Sequence, residues 1–330
     1  RMWPHVVRGL EWIDQYGDCD GDGFVEYARH RPDGLINQGW KDSEDSVSHA
    51  DGILAHGPIA LCEVQGYVYA AKLGAARLAL LLGHADHAVR LEVEAKALQR
   101  RFEDTFWIED MGTYALALDG DKRPCKVRNS NAGHLLFAGI VLDRERARQV
   151  AEDLLSPAMF SGWGIRTLGE REHRYNPMSY HNGSIWPHDN AMIAWGLARY
   201  GFTGKVETVL GGMFDAALFV DLNRLPELFC GFPRQPGQGP TLYPVACIPQ
   251  AWASGALFML LQACLGMRIS ADPPRILFER PALPPSLASV ELRNLRVGSA
   301  SVDLLVTRHP SSVTVNVLRR DGCVEIRISM

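Results

Sequence analysis

The chain is organised by a repeated pair of helical segments, one amphipathic and the next apolar around its whole circumference. The amphipathic segments are 3–16, 86–106, 143–155 and 203–219, and the apolar ones are 63–82, 131–141, 187–200 and 250–265. An amphipathic helix covers a core with one face, whereas a helix that is apolar all round is buried. The apolar segments recur roughly every sixty residues, which indicates a helical repeat of four hairpins.

Residue spacing within these segments predicts packed faces and helix ends. In 86–106 the stripe consists of Ala88, Leu91, Ala95, Leu98 and Phe102. Asp143 and Thr203 are each expected to cap the helix that starts beside them, because their side chains accept hydrogen bonds from the first turn.

The connections between the segments are unequal in length. An apolar segment passes to the next amphipathic one through a tight turn, whereas a long loop follows each amphipathic segment. The long loops are 17–62, 107–130, 156–186 and 220–249. Loops of this length are often functional, and a ring of hairpins places all four at the same end.

The C-terminal part of the chain changes period. Apolar and polar residues alternate in short runs along 288–328, separated by turn residues, which predicts a small antiparallel β module over 288–330. The Pro-rich stretch 271–287 is expected to be a linker, and 1–270 a mainly α-helical domain.

The composition excludes several classes of protein. With 47% apolar and 22% charged residues in 330, a substantial globular core is expected. A net charge of -4 without a basic stripe argues against a nucleic-acid partner, and the apolar runs are too short to cross a membrane. Seven scattered cysteines without zinc-ligand spacing favour a reduced, cytoplasmic environment. Because Arg1 already belongs to a helical pattern, we expect the natural N-terminus to lie upstream.

Residues 38–46 are the densest chemical feature of the chain. Asp42, Glu44 and Asp45 lie beside Trp40, and no apolar period runs through the stretch. Carboxylates next to an aromatic platform are typical of sugar chemistry, and a solvated acidic loop is the alternative. Glu227, in another of the long loops, is the second carboxylate of interest.

Five stretches give the chain a family resemblance. They are Asp22-Gly-Phe-Val-Glu-Tyr27, Gln38-Gly-Trp-Lys-Asp-Ser43, Glu63-Val-Gln-Gly-Tyr67, Tyr180-His-Asn-Gly-Ser-Ile-Trp-Pro-His-Asp-Asn190 and Leu225-Pro-Glu-Leu228. With these motifs the chain resembles amylo-α-1,6-glucosidases, the glycogen-debranching-type glycoside hydrolases related to glucoamylase-like and processing-glucosidase enzymes.

The resemblance implies an (α/α)6 toroid of six hairpins followed by a β module. Only four hairpins are recognisable, so two hairpins expected before Trp3 are missing from this chain. A further N-terminal segment, a partner chain or a second copy of the chain is then expected to close the toroid.

The resemblance also implies a mechanism and a substrate. Asp42 is implied as the general acid and Glu227 as the general base of an inverting hydrolase that acts on α-glucosidic linkages of an oligo- or polysaccharide. Inverting enzymes hold the two carboxyl groups about 6.5–9.5 Å apart, which leaves room for the attacking water. We expect Asp42 to be buried against Trp40.

The substrate-binding residues are expected on the long loops and at the N-terminal ends of the apolar helices. They are Gln38, Trp40, Lys41, Gln65, Trp163, Tyr180, His181, Trp186, His188 and Trp252. Packing roles are the alternative for Trp163, Trp186 and His181, because large aromatic residues and single histidines are often structural.

Residues 18–23, Asp-Cys-Asp-Gly-Asp-Gly, resemble the start of a calcium loop. An EF-hand is excluded, because Arg29 stands where its bidentate glutamate would be. A looser Ca²⁺ site of Asp18, Asp20, Asp22 and Glu26 is one interpretation, and a turn without metal is the other. No cofactor is expected to be required for activity.

Two other functions are consistent with these residues. A glycoside phosphorylase would use phosphate in place of water and would need a cationic pocket, for which Lys41, Arg166 and Arg174 are the candidates. A non-catalytic carbohydrate-binding or scaffold protein is the other, because hairpins of the toroid are missing.

Overall fold

A computed structural model of the protein describes residues 1–329. The described residues form eight α-helices. These are α1 (Trp3–Tyr16), α2 (Cys62–Leu81), α3 (Ala85–Phe106), α4 (Asn131–Ala138), α5 (Arg144–Leu154), α6 (Pro187–Arg199), α7 (Thr203–Ala217) and α8 (Ala251–Cys264). Each segment predicted to be helical coincides with one of these helices to within three residues at either end, so the helical assignment is confirmed.

Helix α3 shows how the spacing of apolar residues determines its packing. All five residues of the predicted stripe, from Ala88 to Phe102, are buried. Leu91 and Ala88 join a core cluster with Leu10 of α1 and the alanines of α2. The charged residues between them stay outside, as expected for a surface helix.

Helices α2 and α8 differ from the expectation of burial all round. Leu81 of α2 is 83% exposed and Phe258 of α8 is 78% exposed. Only part of each circumference contacts neighbouring elements: α2 packs on α3 and α4, and α8 packs on α6 and α7. Apolar composition thus predicts the helix but not how many neighbours cover it.

The helix ends show which capping predictions hold. The side chain of Asp143 accepts a hydrogen bond from the backbone N–H of Glu145, so this N-cap is confirmed. The predicted Thr203 cap is wrong, because Thr203 is the first residue inside α7 and Phe202 holds the cap position. Gly139, with φ +78°, ends α4 three residues before the predicted boundary.

The chain divides into two compact units. The first comprises residues 1–161, 165–185 and 229–232, and holds α1 to α5 with four short strands. The strands are β1 (Ala60–Leu61), β2 (Trp107–Ile108), β3 (Thr113–Tyr114) and β4 (Ala117–Leu118). Strand β1 pairs with β4, and β2 pairs with β3, both antiparallel.

The second unit comprises 162–164, 186–228 and the described residues from 233 onward. In it, α6 to α8 are followed by six strands. These are β5 (Met267–Ala271), β6 (Pro274–Glu279), β7 (Ser289–Val297), β8 (Ala300–Arg308), β9 (Val313–Asp321) and β10 (Glu325–Ser329). The order β7-β8-β9 forms an antiparallel sheet, which confirms the predicted β module in its central part.

The expected linker 271–287 and the wholly antiparallel module need correction. Strand β6 lies inside that stretch, antiparallel to β5 and parallel to β10. Pro274 begins β6, where a strand tolerates proline, and Ile276 and Phe278 alternate into the core. The compact units also differ from the expected division at 270. The toroidal arrangement stays a prediction.

No helix within residues 1–329 combines the length and the apolar character needed to cross a lipid bilayer.

Candidate functional site

The loop 38–46 in the first unit is held in its C-terminal half by two buried amide side chains. Asn37 donates to the backbone carbonyls of Ser43 (2.8 Å) and Glu44 (3.2 Å). Asn182 donates to the carbonyl of Asp45 at 3.1 Å. These bonds replace regular secondary structure, so the loop has a defined path although it is neither helix nor strand.

The indole of Trp40 lies in a group of buried histidines. It stacks on His134 with a centroid distance of 5.7 Å and an interplanar angle of 16°. It also meets the ring of His181 edge-on at 5.7 Å. Tyr67 of α2 is hydrogen-bonded to His134, and Tyr180 packs against His181. Trp40 itself is partly exposed, so part of the indole is accessible to a ligand.

Asp42 is the exposed carboxylate of this loop. Its side chain is 53% exposed, and Oδ1 lies 3.9 Å from Nδ1 of His181. The expected burial against Trp40 is therefore wrong, because the indole packs on the histidines. The next residue, Ser43, is tied down: its Oγ is 2.7 Å from Nδ1 of His181. A fixed backbone beneath an exposed carboxylate lets Asp42 reach a bound molecule.

The side chains of Lys41 and Gln65 are buried and hydrogen-bonded to the protein backbone. The Lys41 ammonium donates to the carbonyl oxygen of Thr167 at 2.6 Å, and the residue is 4% exposed. The Gln65 amide is 0% exposed and hydrogen-bonds both backbone groups of Val25, at 2.9 and 2.7 Å. Neither side chain presents a surface to a sugar in this conformation. Gln38 is exposed and donates a hydrogen bond to the Ala28 carbonyl oxygen at 3.2 Å.

Glu227 in the second unit is a buried carboxylate with well-defined partners. It is 7% exposed and accepts from the backbone N–H of Cys247 at 3.1 Å and from the Gln250 amide at 3.3 Å. Its own N–H donates to the Cys247 carbonyl. Gln250 is also the N-cap of α8, which fixes its amide. This carboxylate is held in one orientation before any ligand arrives.

Three of the predicted sugar-contacting residues form an aromatic cluster in the same unit. His188 stacks on Trp252 at a centroid distance of 3.7 Å with an interplanar angle of 2°. Trp186 meets both rings edge-on, at 5.6 and 5.8 Å. Trp186 is 1% exposed, whereas Trp252 is 41% exposed. The indole of Trp252, backed by His188, is thus the accessible platform of the cluster.

Trp163 has the contacts of a packing residue. It is 2% exposed, meets Phe219 edge-on at 5.8 Å and carries the guanidinium of Arg234 at 4.4 Å from its ring centroid. The role of a stacking wall for sugar is not supported by this environment, because both contacts cover the ring with protein.

The acidic residues 18–26 surround a lysine. The ammonium of Lys122 contacts Asp20 (2.9 Å), Asp22 (2.7 Å) and Glu26. Asp18, Asp20 and Asp22 also form a group able to approach one cation. These carboxylates are therefore arranged to bind a positive charge, and the ammonium of Lys122 already lies among them.

The three cations considered for phosphate binding each contact protein oxygens. Lys41 donates to Thr167, as described. Arg166 donates to the carbonyls of Gly231, Pro157 and Ala158. Arg174 donates to the Gly52 carbonyl at 3.0 Å. The cationic pocket that a phosphorylase requires is not formed by these residues.

Several residues of the site escaped the sequence reasoning. Asn37, His134 and Thr167 position the 38–46 loop, and Asn182 binds it from a remote segment. Asn182 belongs to a stretch that carried the family resemblance, so that stretch contained a usable signal. His134 and Thr167 lie in ordinary-looking sequence, and only the folded chain brings them to the loop.

Comparison with known proteins identifies a family of glycoside hydrolase domains. Residues 1–224 match the model of the family described as mannosylglycerate hydrolase MGH1-like glycoside hydrolase domain. Asp42 lies inside the matched range and Glu227 just beyond it. No curated protein sequence matches the chain significantly.

Solved structures share the fold at low sequence identity. A sialidase is 14% identical, with a TM-score of 0.70 over 96% of this chain and 29% of its own. A GH78 family rhamnosidase of Bacillus sp. GL1 is 15% identical, with a TM-score of 0.68 over 100% of this chain and 30% of the rhamnosidase chain. A GH63 mannosylglycerate hydrolase from Thermus thermophilus is 16% identical, with a TM-score of 0.58 over 78% of this chain and 69% of the hydrolase chain.

The chain thus spans less than a third of the sialidase and rhamnosidase chains and about two thirds of the GH63 hydrolase. The expectation of a glycosidase family is confirmed at this level, whereas the debranching type stays a prediction. With more than half of its length matched, the chain belongs to the family of mannosylglycerate hydrolase MGH1-like glycoside hydrolase domains.

Proposed function

We propose that the protein hydrolyses α-glucosidic linkages of an oligo- or polysaccharide with inversion at the anomeric carbon. The observation that carries the proposal is Asp42: an exposed carboxylate on a rigidly held loop, next to the partly exposed indole of Trp40. Family membership supplies the reaction class. The two together favour a glycosidase over a non-catalytic sugar-binding protein.

Asp42 is proposed as the general acid. Its half-exposed carboxyl group is accessible to a sugar that packs on the indole of Trp40. The proton would then pass from Asp42 to the glycosidic oxygen as the bond to the anomeric carbon breaks.

Glu227 is proposed as the general base. A base must hold an acceptor oxygen in a fixed orientation towards the water from which it removes a proton. The Cys247 N–H and the Gln250 amide donate to the Glu227 carboxylate and fix that orientation. Water would attack the anomeric carbon from the face opposite the departing oxygen, and Glu227 would take one of its protons.

The proposed substrates carry α-linked glucose, with α-1,6 branch linkages as the first candidates. That part of the proposal rests on the motifs around Trp40 and Tyr180 and on their debranching-type resemblance. The family description and the name of a structural neighbour both contain the words mannosylglycerate hydrolase. Mannosylglycerate is therefore included among the substrates to be tested. Trp252 and His188 would provide a second apolar platform for sugar rings.

The experiment is a hydrolysis assay on isomaltose, panose, maltotriose and mannosylglycerate, followed by proton NMR of the first product. The proposal predicts release of β-glucose from an α-linked glucoside. Release of α-glucose would contradict inversion, and cleavage of mannosylglycerate alone would contradict the glucosidic substrate class. Sugar binding to the wild-type chain without turnover of any substrate would contradict hydrolysis.

A further inference from the structure

The loop 18–26 directs three carboxylate groups towards a single point. At that point lies the ammonium of Lys122, 96 residues from Glu26 in the sequence. Its nitrogen is 2.9 Å from Oδ2 of Asp20, 2.7 Å from Oδ2 of Asp22 and in contact with Oε1 of Glu26. An ammonium has three N–H donors, and here each has one carboxylate oxygen as acceptor.

The remaining oxygens of these three carboxylates, and both oxygens of Asp18, accept hydrogen bonds from backbone N–H groups of the same loop. The donor and acceptor pairs are Gly21 and Gly23 to Asp18, Asp22 to Asp20, Phe24 to Asp22 and Cys19 to Glu26, at 2.7–3.2 Å. The backbone of the loop therefore orients one oxygen each of Asp20, Asp22 and Glu26 towards the same point.

Lys122 is positioned from its own side as well. It lies in the turn 119–123 with φ +61°, a left-handed backbone conformation that is uncommon for a residue other than glycine. The next residue, Arg123, binds the buried carboxylate of Asp119 at 2.8 Å, and Asp119 also accepts from the Arg123 N–H. This anchoring holds Lys122 at the acidic loop, which gives it the high local concentration of a tethered ligand.

We propose that Lys122 is the resident cation of loop 18–26, taking the place of a divalent metal, so that the loop is ordered without Ca²⁺. The titration behaviour agrees with this geometry. Burial lowers the pKa of Lys122, but hydrogen bonds to Asp22, Glu26 and Asp20 outweigh it and hold the pKa above its ordinary value. The hydrogen bond from Lys122 likewise lowers the pKa of Asp20.

Replacement of the lysine would leave Glu26, whose side chain is fully buried, facing two aspartates without a counter-charge. Such a group of carboxylates destabilises the fold unless a cation enters. A Lys122→Met variant should therefore acquire the metal requirement that the wild-type chain lacks. Methionine keeps the approximate length of the side chain and removes only the charge and the donors.

The test compares melting temperatures in about 5 mM Ca²⁺ and in EDTA, a concentration above the dissociation constants of weak calcium loops. The wild-type protein should melt at the same temperature in both. Lys122→Met should melt at least about 4 °C lower in EDTA and recover most of that loss in Ca²⁺. Terbium luminescence, sensitised by nearby aromatic residues, should report ion binding to the variant alone.

Matched variants make the result specific. Lys126→Met removes a half-exposed lysine of the same segment and should show no Ca²⁺ response. Lys122→Arg keeps the charge and should stay insensitive to Ca²⁺. Adding Asp20→Asn to Lys122→Met should abolish the recovery, because a ligand is lost.

Three outcomes would overturn the inference. A wild-type protein stabilised by Ca²⁺ would show that the carboxylates prefer a metal to Lys122. A Lys122→Met variant as stable as the wild type would show that the lysine does not hold the loop. A destabilised variant that neither recovers in Ca²⁺ nor binds terbium would show that the carboxylates are not a cation site.

Discussion

Ser43 Oγ and His181 Nδ1 are 2.7 Å apart, although 138 residues separate them in the sequence. The backbone N–H of Ser43 points to the same nitrogen at 3.4 Å. The contact connects the residue after Asp42 to a buried segment of the same unit. Together with the hydrogen bonds from Asn37 and Asn182, it fixes the backbone beneath the exposed carboxylate.

The first prediction concerns this contact. Ser43→Ala removes the hydroxyl group but not the backbone N–H, so kcat should fall about tenfold with little change in KM, since displacement of a reacting group slows chemistry more than binding. His181→Ala should reduce kcat by about 100-fold, because it also leaves a cavity under Trp40. Steady-state kinetics on the best substrate measures both.

Glu44→Gln provides the control, because its side chain is exposed in the same loop. It should retain kcat within about twofold of the wild type. Equal losses of kcat in Ser43→Ala and Glu44→Gln would show that any change in the loop disturbs the site. That result would contradict a specific role for His181.

The second prediction concerns the close approach of two backbone segments. A Cβ at Gly231 would lie 1.7 Å from the carbonyl oxygen of Gly183, so Gly231→Ala must displace one segment. We expect the free energy of unfolding to fall by roughly 3 kcal/mol or more, as for other severe steric substitutions. Urea denaturation measures the change.

Gly74→Ala is the matched control in helix α2. A Cβ there meets nothing within 4 Å, so the alanine should stabilise the protein by about 0.5–1 kcal/mol. Wild-type stability of Gly231→Ala would mean that the two segments separate readily, and that the site is less rigid than the contacts indicate.

The third prediction concerns alkaline pH. Burial raises the pKa of the Cys125 thiol to about 12, with Asp119 adding to the shift, and burial likewise raises the pKa of Cys264 to about 12. A folded-state pKa above the unfolded value of about 8.5 means that the stability contribution is complete below that pH and is lost as pH rises towards 12. The free energy of unfolding should decrease by about 1.4 kcal/mol per pH unit for each such thiol.

Urea midpoints between pH 8 and pH 10.5 test this slope. The free energy of unfolding of Cys264→Ala should decrease more slowly with pH than that of the wild type, because one ionising thiol is gone. Identical slopes in the two proteins would contradict the assignment of Cys264 as a buried, protonated thiol.

The fourth prediction concerns the phosphorylase alternative. Lys41, Arg166 and Arg174 each donate to backbone carbonyls, so these three residues do not form the cationic pocket that phosphate needs. Turnover should be the same with and without about 20 mM phosphate, when ionic strength is balanced with KCl. A phosphate-dependent rate with release of a sugar phosphate would contradict hydrolysis.

Local patterns in the sequence predicted the helices, because the period of α3 and the cap at Asp143 depend on neighbouring residues alone. The loop 38–46 was recognised by its carboxylates and its indole. Burial of Asp42 was predicted wrongly, since whether Trp40 covers Asp42 or packs on His134 depends on a residue far along the chain.

The remaining differences have the same physical origin. Gln65 was expected to face a ligand, but its amide satisfies the backbone of Val25. The lysine among the acidic residues 18–26 comes from a turn about a hundred residues later. Strand β6 was expected to be linker because prolines are rare inside strands, yet Pro274 only begins it. Such pairings are set by tertiary structure and leave little trace in local composition.

The rate of Asp42→Asn tests the central claim most directly. On isomaltose or the best natural substrate, the loss of the general acid should reduce kcat by at least about 100-fold, with the melting temperature unchanged. On α-glucosyl fluoride, whose leaving group needs no protonation, the loss should be much smaller. Asp45→Asn, in the same loop, should stay near wild-type activity. An Asp42→Asn variant within about threefold of the wild type on the natural substrate would contradict the account.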